Sequence, residues 1–144
     1  MKNDFTYESN DLESMLFANN YYDWIISIFR KYIGKRVLEV GAGCGNFTEY
    51  ILRENVDRIT SIEPSKNLAP LLDAKFRSNP KVSAFNCFLN GYQGEHGDES
   101  LFDTIFYINV LEHVEHDAQE MALASQYLED GGHILIMVPA LPMI

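Results

Sequence analysis

Short apolar runs alternate along this chain with longer stretches in which apolar residues return every three or four positions. The runs carry β-branched and aliphatic residues and predict strands, whereas the longer stretches predict amphipathic helices. The predicted strands cover residues 36–40, 58–62, 81–86, 102–108 and 133–138, and the predicted helices cover residues 21–33, 46–54, 68–77 and 115–128.

Turn-forming residues mark the ends of several of these elements. Gly34 is placed to end the first helix. Asn67 is the expected N-cap of the helix at 68–77, which puts Pro70 in the first turn, where its missing N–H costs little. The sequence Asp130-Gly131-Gly132 predicts a turn before the last strand.

The order of the elements predicts the fold class. Strands that alternate with helices at this spacing form βαβ units, so we expect an α/β domain with a doubly wound parallel sheet and helices on both faces. Such folds bind ligands beyond the carboxyl ends of their strands. We expect this domain to cover residues 20–144, after a polar arm at 1–19 that is loose or holds a short helix at 11–18.

Composition and charge exclude several classes of protein. Hydrophobic residues make up 47% of the 144 residues, and no apolar run reaches the length of about 18 residues that a membrane span needs. The amino terminus is unlike a secretory signal. Cys44 and Cys87 form no zinc or disulfide pattern, which favours a reducing cytoplasm. The net charge of −10 argues against a nucleic-acid partner.

Three glycines at alternate positions, Gly41, Gly43 and Gly45, follow the first predicted strand and precede a helix. Glycines there let the backbone turn sharply and approach a ligand, and the helix start offers free N–H groups. The loop therefore predicts a nucleotide-like ligand, with a simple tight turn as the alternative. A dinucleotide fingerprint would need glycine at position 46, where this chain has Asn46.

Two acidic residues near this loop narrow the choice of ligand. Glu39, two residues before Gly41, would repel a pyrophosphate but suits a ligand with an ammonium group. Glu63 follows the second predicted strand, 18 residues after Gly45, where a carboxylate can accept both hydrogen bonds from a ribose diol. The alternative for Glu63 is a solvated acid at a strand end. A nicotinamide-dependent oxidoreductase is disfavoured by Glu39 and by the residue at position 46.

Together these features resemble the binding signature of class I S-adenosylmethionine-dependent methyltransferases that act on small molecules, of the type 11 and type 12 groups. The resemblance covers residues 20–142 and rests on three motifs in order. These are Glu39-x-Gly41-x-Gly43-x-Gly45 with Glu63, the segment 102–105 followed by Asn109-Val110-Leu111-Glu112-His113-Val114, and Leu128-Glu129-Asp130-Gly131-Gly132.

The resemblance implies a Rossmann-like domain that transfers a methyl group from S-adenosylmethionine to a small-molecule acceptor, leaving S-adenosylhomocysteine. Methyl transfer needs alignment of the acceptor more than a catalytic dyad, because the sulfonium is already an activated donor. A cofactor-binding module without catalysis is the alternative. The cofactor-binding residues that the resemblance implies are Tyr21, Glu39, Gly41, Ala42, Gly43, Gly45, Asn46, Glu63, Pro64, Ser65, Cys87, Phe88, Leu89, Asn109 and Val110.

Each part of the cofactor has its own expected partners. The glycine loop would pack against the methionine part, with the charge of Glu39 nearby, and Glu63 would hold the ribose. Pro64 and Ser65 would line the adenosine edge, and Tyr21 would lie over the cofactor. Asn109 and Val110 would lie near the sulfonium and the methionine backbone.

The segment after the third predicted strand departs from the family. Many members have an acid there that accepts a hydrogen bond from the adenine amino group, whereas this chain reads Asn86-Cys87-Phe88-Leu89. The backbone of Cys87–Leu89 remains able to contact adenine, and Phe88 remains able to stack on it.

His113 is the candidate catalytic residue, as a general base on a hydroxyl or carboxyl acceptor; its alternative role is to cap or pack the following segment. Some quinone O-methyltransferases have an E-x-x-E-H metal site at this place. Here the first ligand is replaced by the amide of Asn109, so we expect no metal. Cys44 is expected to fill space in the loop rather than act as a nucleophile.

The chain stops soon after the fifth predicted strand, at residues 139–144. The final strands of the seven-stranded family sheet are therefore expected to be missing. An uncovered edge of strand five would be prone to pair with another chain. The alternatives are a truncated chain and a natural short form that swaps elements or forms a homodimer through this edge.

Overall fold

The computed structural model describes residues 19–92 and 101–140, so the arm at 1–18 with its proposed short helix lies outside the described residues. We number the helices and strands in chain order. They are α1 Asn19–Phe29, β1 Arg36–Val40, α2 Asn46–Ile51, β2 Arg58–Ile62, α3 Ala69–Phe76, β3 Val82–Phe85, β4 Phe102–Ile108, α4 Asp117–Gln126 and β5 Leu128–Met137, with 3₁₀ turns at Arg30–Tyr32, Leu89–Gly91 and Leu111–His113.

The five described strands form one parallel sheet in the order β3-β2-β1-β4-β5. This confirms the predicted α/β class, and β1, β2 and β4 have the predicted bounds. The chain moves outward from β1 to β3 and then crosses back to β4 on the other side of β1. The carboxyl ends of β1 and β4 therefore flank the point where the strand order reverses, which is where such sheets bind ligands.

Apolar side chains cover both faces of the sheet. Because neighbouring residues of a strand point to opposite faces, β1 contributes Val37 to one core and Leu38 and Val40 to the other. The first core includes residues of α1 and α2, and the second includes Ala124 of α4. Glu39 occupies the same face of β1 as Val37, which puts a carboxylate on an apolar side of the sheet.

The start of α3 differs from the prediction. Asn67 is not its N-cap: the helix begins at Ala69, and the N–H of Ala69 donates to the carbonyl oxygen of Ser65 over 2.9 Å. The side chain of Asn67 instead accepts a hydrogen bond from the hydroxyl of Ser65. Pro70 lies in the first turn, as predicted.

The predicted turn before the last strand is a bulge inside β5, and the preceding helix ends two residues earlier than expected, at Gln126. Leu128 already pairs with β4, and the register then shifts, so that residues 129–132 bulge out before pairing resumes at His133. Glu129 of this bulge forms an ion pair with Arg36 at the start of β1. The strand therefore continues through the bulge, where the glycines suggested a separate turn.

Across residues 19–92 and 101–140, none of the helices combines the length and the apolar character that crossing a bilayer requires.

Candidate cofactor-binding site

The glycine loop joins the carboxyl end of β1 to the start of α2, at the reversal of strand order. All three of its glycines have positive φ angles, +74° at Gly41, +59° at Gly43 and +92° at Gly45. Residues with a Cβ atom rarely adopt this left-handed region. The alternate glycines are therefore required by the backbone conformation of the loop itself.

Two of these glycines are also required by packing. A Cβ atom on Gly41 would lie 2.4 Å from a methyl carbon of Val110, and one on Gly45 would lie 2.4 Å from the ring of Phe76. The N–H groups of Gly41 and Ala42 both donate to the carbonyl oxygen at the end of β2, over 2.9 and 3.1 Å. The loop is thus held closely against β2, α3 and the segment after β4.

Glu63 connects the glycine loop to the end of β2. One carboxylate oxygen accepts the N–H of Gly43 over 2.7 Å, and the other accepts the N–H of Ser65 over 2.8 Å. The side chain is only 5% exposed, so it is not a solvated acid at a strand end. Burial raises the pKa of Glu63 above its usual range, and the two backbone N–H groups oppose this rise.

Glu39 is the second buried carboxylate, 3% exposed, on the face of β1 that α1 and α2 cover. One of its oxygens accepts hydrogen bonds from the hydroxyls of Thr48 and Ser61. Burial raises the pKa of Glu39 to about 7; the two hydroxyls and Lys75 oppose the rise, and the charge of Glu63 adds to it. Removing water from a carboxylate disfavours its charged form, so this site favours a cation that would restore the charge.

The hydroxyl partners of Glu39 were missed by the sequence analysis. Ser61 lies directly beside Glu39 in the register of β1 and β2, since both are the fourth residues of equal, in-register strands. That register was the signal that pointed to Ser61. Thr48 is fully buried near the start of α2, and no motif in the sequence singled it out.

The end of β4 brings together residues predicted from distant parts of the sequence. Asn109 directly follows β4 and has a φ angle of +55°. Its backbone N–H donates to the carbonyl oxygen of Met137 over 2.8 Å, and its side-chain oxygen accepts the hydroxyl of Tyr21 over 3.1 Å. The next residue, Val110, faces Gly41. Tyr21, Gly41, Asn109 and Val110 therefore meet at the reversal point.

The region expected to receive adenine lies after β3. Phe88 is 43% exposed and Cys87 is half-buried, with a pKa raised by that burial. Leu89 belongs to the core, which leaves only its backbone for a ligand. The sequence indicated no role for Asn86, whose amide donates to the carbonyl oxygen of Glu63 over 2.8 Å. Asn86 thereby ties the end of β3 to that of β2.

Two predicted residues lie at the border of this arrangement. The side chain of Asn46 accepts a hydrogen bond from Lys75 over 3.2 Å on the exposed surface between α2 and α3. His113 lies on the 3₁₀ turn after β4 with half its side chain exposed, and its Nε2 is 3.7 Å from a carboxylate oxygen of Glu112. Within residues 19–92 and 101–140, no three acidic, histidine or cysteine side chains are grouped as metal ligands.

Comparison with known proteins gives a consistent family. A family model described as a methyltransferase domain matches residues 10–143. The ubiquinone biosynthesis O-methyltransferase of Aromatoleum aromaticum is 30% identical over 102 residues, which are 70% of this chain and 42% of that protein. The chain therefore spans less than half the length of this curated relative.

Solved structures share the fold. The N-methyltransferase NodS of Bradyrhizobium japonicum aligns with a TM-score of 0.66 at 19% identity, over 90% of this chain and 70% of that one. Phosphoethanolamine N-methyltransferase 2 of Haemonchus contortus, solved with S-adenosyl-L-methionine, aligns with a TM-score of 0.71 at 19% identity, over 87% of this chain and 31% of that one.

Proposed function

This chain belongs to the methyltransferase-domain family, and we propose from this that it binds S-adenosylmethionine at the carboxyl ends of β1, β2 and β4 and transfers the methyl group to a small-molecule acceptor. The observation that carries the proposal is the glycine loop at the reversal of strand order, held in a left-handed conformation and bridged to β2 by Glu63. The presence of S-adenosyl-L-methionine in the Haemonchus contortus structure supports the choice of cofactor.

The charges of the site fit this cofactor. S-adenosylmethionine carries a sulfonium and an ammonium, and the sulfonium supplies an activated methyl group. Glu39 and Glu63 place two buried carboxylates beside the glycine loop, and burial raises the pKa of each carboxyl by more than its hydrogen bonds lower it. A cationic ligand would offset this cost, whereas the pyrophosphate of a dinucleotide would increase it.

For the individual residues we propose the roles that the family resemblance implies. Glu39 would hold negative charge near the methionine part, and the second lone pairs of the Glu63 oxygens would be left for the ribose hydroxyls. The exposed ring of Phe88 would cover the adenine, and the backbone of residues 87–89 would supply its polar contacts. The remaining task of the protein is to align the acceptor with the methyl group and exclude water.

A small-molecule acceptor is the best supported substrate class. The Aromatoleum aromaticum relative is named as an O-methyltransferase of ubiquinone biosynthesis. The net charge of −10 argues against a nucleic-acid acceptor. His113, on the turn that follows the end of β4, would act as general base if the acceptor is a hydroxyl.

Titration calorimetry with S-adenosylhomocysteine tests the proposal. We expect micromolar binding by the unaltered chain and a loss of at least about tenfold in Glu63→Gln, because the amide keeps only one oxygen for the N–H groups of Gly43 and Ser65. Asp73→Asn, at an exposed acid of α3, is the matched control. Absence of binding by a chain whose circular dichroism shows a folded domain would refute the cofactor assignment.

Turnover separates the enzyme from a binding module. Release of S-adenosylhomocysteine in the presence of a panel of phenolic, amine and carboxylate acceptors is expected for an enzyme. A chain that binds the cofactor tightly but methylates no acceptor in the panel would favour the module. With an active acceptor, His113→Ala should lower kcat at pH 7 and leave cofactor affinity unchanged if His113 is the general base.

A further inference from the structure

Glu39 is a buried acid whose carboxylate has no cationic hydrogen-bond partner among the described residues. Its side chain is 3% exposed, and the hydroxyls of Thr48 and Ser61 both donate to the same oxygen, Oε2. On the other side of β1, the residue in register with Glu39 is the apolar Phe106 of β4. Burial without a bound cation favours the protonated form of a carboxyl group.

Three titratable groups of the surrounding segments act on this carboxyl. Tyr22 of α1 has a pKa raised to about 12, first by burial and then by the charge of Glu39, so its hydroxyl is neutral at neutral pH. Glu63, after β2, repels the charge of Glu39, whereas Lys75 of α3 attracts it. Lys75 is itself paired with Glu49 of α2 over 3.2 Å. These charges oppose one another, and burial has the largest effect on Glu39.

The two protonation states of Glu39 are balanced close to neutral pH. Burial raises the pKa of Glu39 to about 7, so the folded chain contains both forms near that pH. A positive charge brought near a carboxyl group favours its ionised form. The glycine loop that is expected to receive the cofactor begins at Gly41, two residues after Glu39. A cationic ligand at this loop would therefore act on Glu39 through space, without a direct contact.

We propose that Glu39 couples the charge of the bound cofactor to a proton: the carboxyl holds a proton when the site is empty below neutral pH and releases it to solvent when S-adenosylmethionine binds. This inference rests on the proposed cofactor, which carries an ammonium and a sulfonium. Methyl transfer removes the sulfonium charge, so the product S-adenosylhomocysteine favours the ionised form of Glu39 less strongly. Acidic pH should therefore weaken the binding of S-adenosylmethionine more than that of its product.

Titration calorimetry between pH 5.5 and 7.5 tests this coupling, and two buffers with different heats of ionisation give the number of protons released. A single group that titrates in this range changes the affinity at most about tenfold for each pH unit. We expect the affinity for S-adenosylmethionine to rise about five- to twentyfold from pH 5.5 to 7.5, with release of about half a proton at pH 6.5. Both values should be smaller for S-adenosylhomocysteine.

Two substitutions identify the group that releases the proton. Glu39→Gln removes the carboxyl, so the affinity for S-adenosylmethionine should change less than about twofold over this pH range, and proton release should nearly vanish. Histidines titrate over the same range. His113→Gln, at the half-exposed histidine on the border of the site, is therefore the matched control and should keep both the pH dependence and the proton release.

Lys75→Gln tests the same coupling without altering Glu39. Loss of this positive charge should raise the pKa of Glu39, so the rise in affinity should move to higher pH by at least about 0.3 pH unit. Lys31→Gln removes the same charge from an exposed position on the 3₁₀ turn after α1 and should leave the profile unchanged. This pair decides the proposal if Glu39→Gln does not fold.

The possible results separate this inference from the proposed function. If a folded, unaltered chain binds neither ligand at any of these pH values, the proposed function fails. If it binds S-adenosylmethionine equally well at pH 5.5 and 7.5 and releases no proton, only the coupling is refuted. Proton release that persists in Glu39→Gln, or that is lost in His113→Gln, would assign the proton to another group. A profile that Lys75→Gln does not move would likewise overturn the role of Glu39.

Discussion

Replacing Glu39 by glutamine should stabilise the protein at neutral and alkaline pH. Burial raises the pKa of this carboxyl from 4.5 to about 7. At about 1.36 kcal/mol for each pH unit, keeping the charge above pH 7 costs the folded state about 3 kcal/mol. Glutamine removes this cost but introduces an amide next to the hydroxyls of Thr48 and Ser61. We expect this less favourable contact to cost the folded state about 1 kcal/mol. We expect a net gain of about 2 kcal/mol at pH 8.

The sign of the pH dependence follows from where the proton is bound. Below pH 4.5 the carboxyl is protonated in both the folded and the unfolded chain, so its ionisation costs nothing. Between pH 4.5 and 7 the folded chain keeps a proton that the unfolded chain has lost, and the stability of the unaltered protein falls as the pH rises. Above pH 7 the full cost is present. Glu39→Gln should therefore gain least at pH 4.5 and most at pH 8.

Urea denaturation at pH 4.5, 6, 7 and 8 measures this difference between the two proteins. The exposed Glu115→Gln should show a difference that hardly changes with pH. A Glu39→Gln protein less stable than the unaltered chain by the same amount at every pH would refute the reasoning, since the hydroxyl contacts would then outweigh the cost of burial. The stabilised variant should also bind S-adenosylhomocysteine more weakly, because it lacks the charge expected near the ammonium.

Three further predictions concern packing and assembly. Gly41→Ala should lower the free energy of unfolding by about 2 kcal/mol or more in urea denaturation, because its φ angle is +74° and the new Cβ atom would lie 2.4 Å from a methyl carbon of Val110. The control Gly91→Ala creates no such close contact and should change the free energy of unfolding by less than about 0.5 kcal/mol. Tyr107→Phe should cost about 1 kcal/mol in the same assay, because its hydroxyl donates to Glu120 over 2.9 Å, and an unchanged stability would contradict this. If the outer edge of β5 pairs with a second copy of the chain, light scattering should give a dimer mass for the unaltered chain and a monomer mass for Ile136→Lys. A monomer mass for the unaltered chain at high protein concentration would exclude this assembly.

Local apolar runs and glycine spacing were enough to predict the sheet and the loop. The strands β1, β2 and β4 are apolar runs with clear ends. Parallel strands that are buried on both faces typically have such nearly continuous apolar sequences. The three glycines have positive φ angles that few other residues adopt, so their spacing between a predicted strand and a predicted helix located the loop.

Contacts between distant segments could not be predicted in the same way. The hydrogen bond from Tyr21 to Asn109 depends on how α1 packs on the sheet. The hydrogen bond from Asn86 to Glu63 depends on the positions at which β3 and β2 end in the sheet. The predicted N-cap at Asn67 was wrong because its side-chain oxygen accepts a hydrogen bond from the hydroxyl of Ser65. N-cap propensities do not take such a competing local partner into account.

The bridge made by Glu63 has a consequence for local opening of the domain. One carboxylate accepts two backbone N–H groups from different loops, and Asn86 adds a bond from the end of β3 to the carbonyl oxygen of the same residue. Neither loop can move away from the other without breaking a hydrogen bond to this one buried side chain. The amide hydrogens of Gly43 and Ser65 should therefore exchange with solvent together, as one cooperative unit, although they lie 22 residues apart in the sequence.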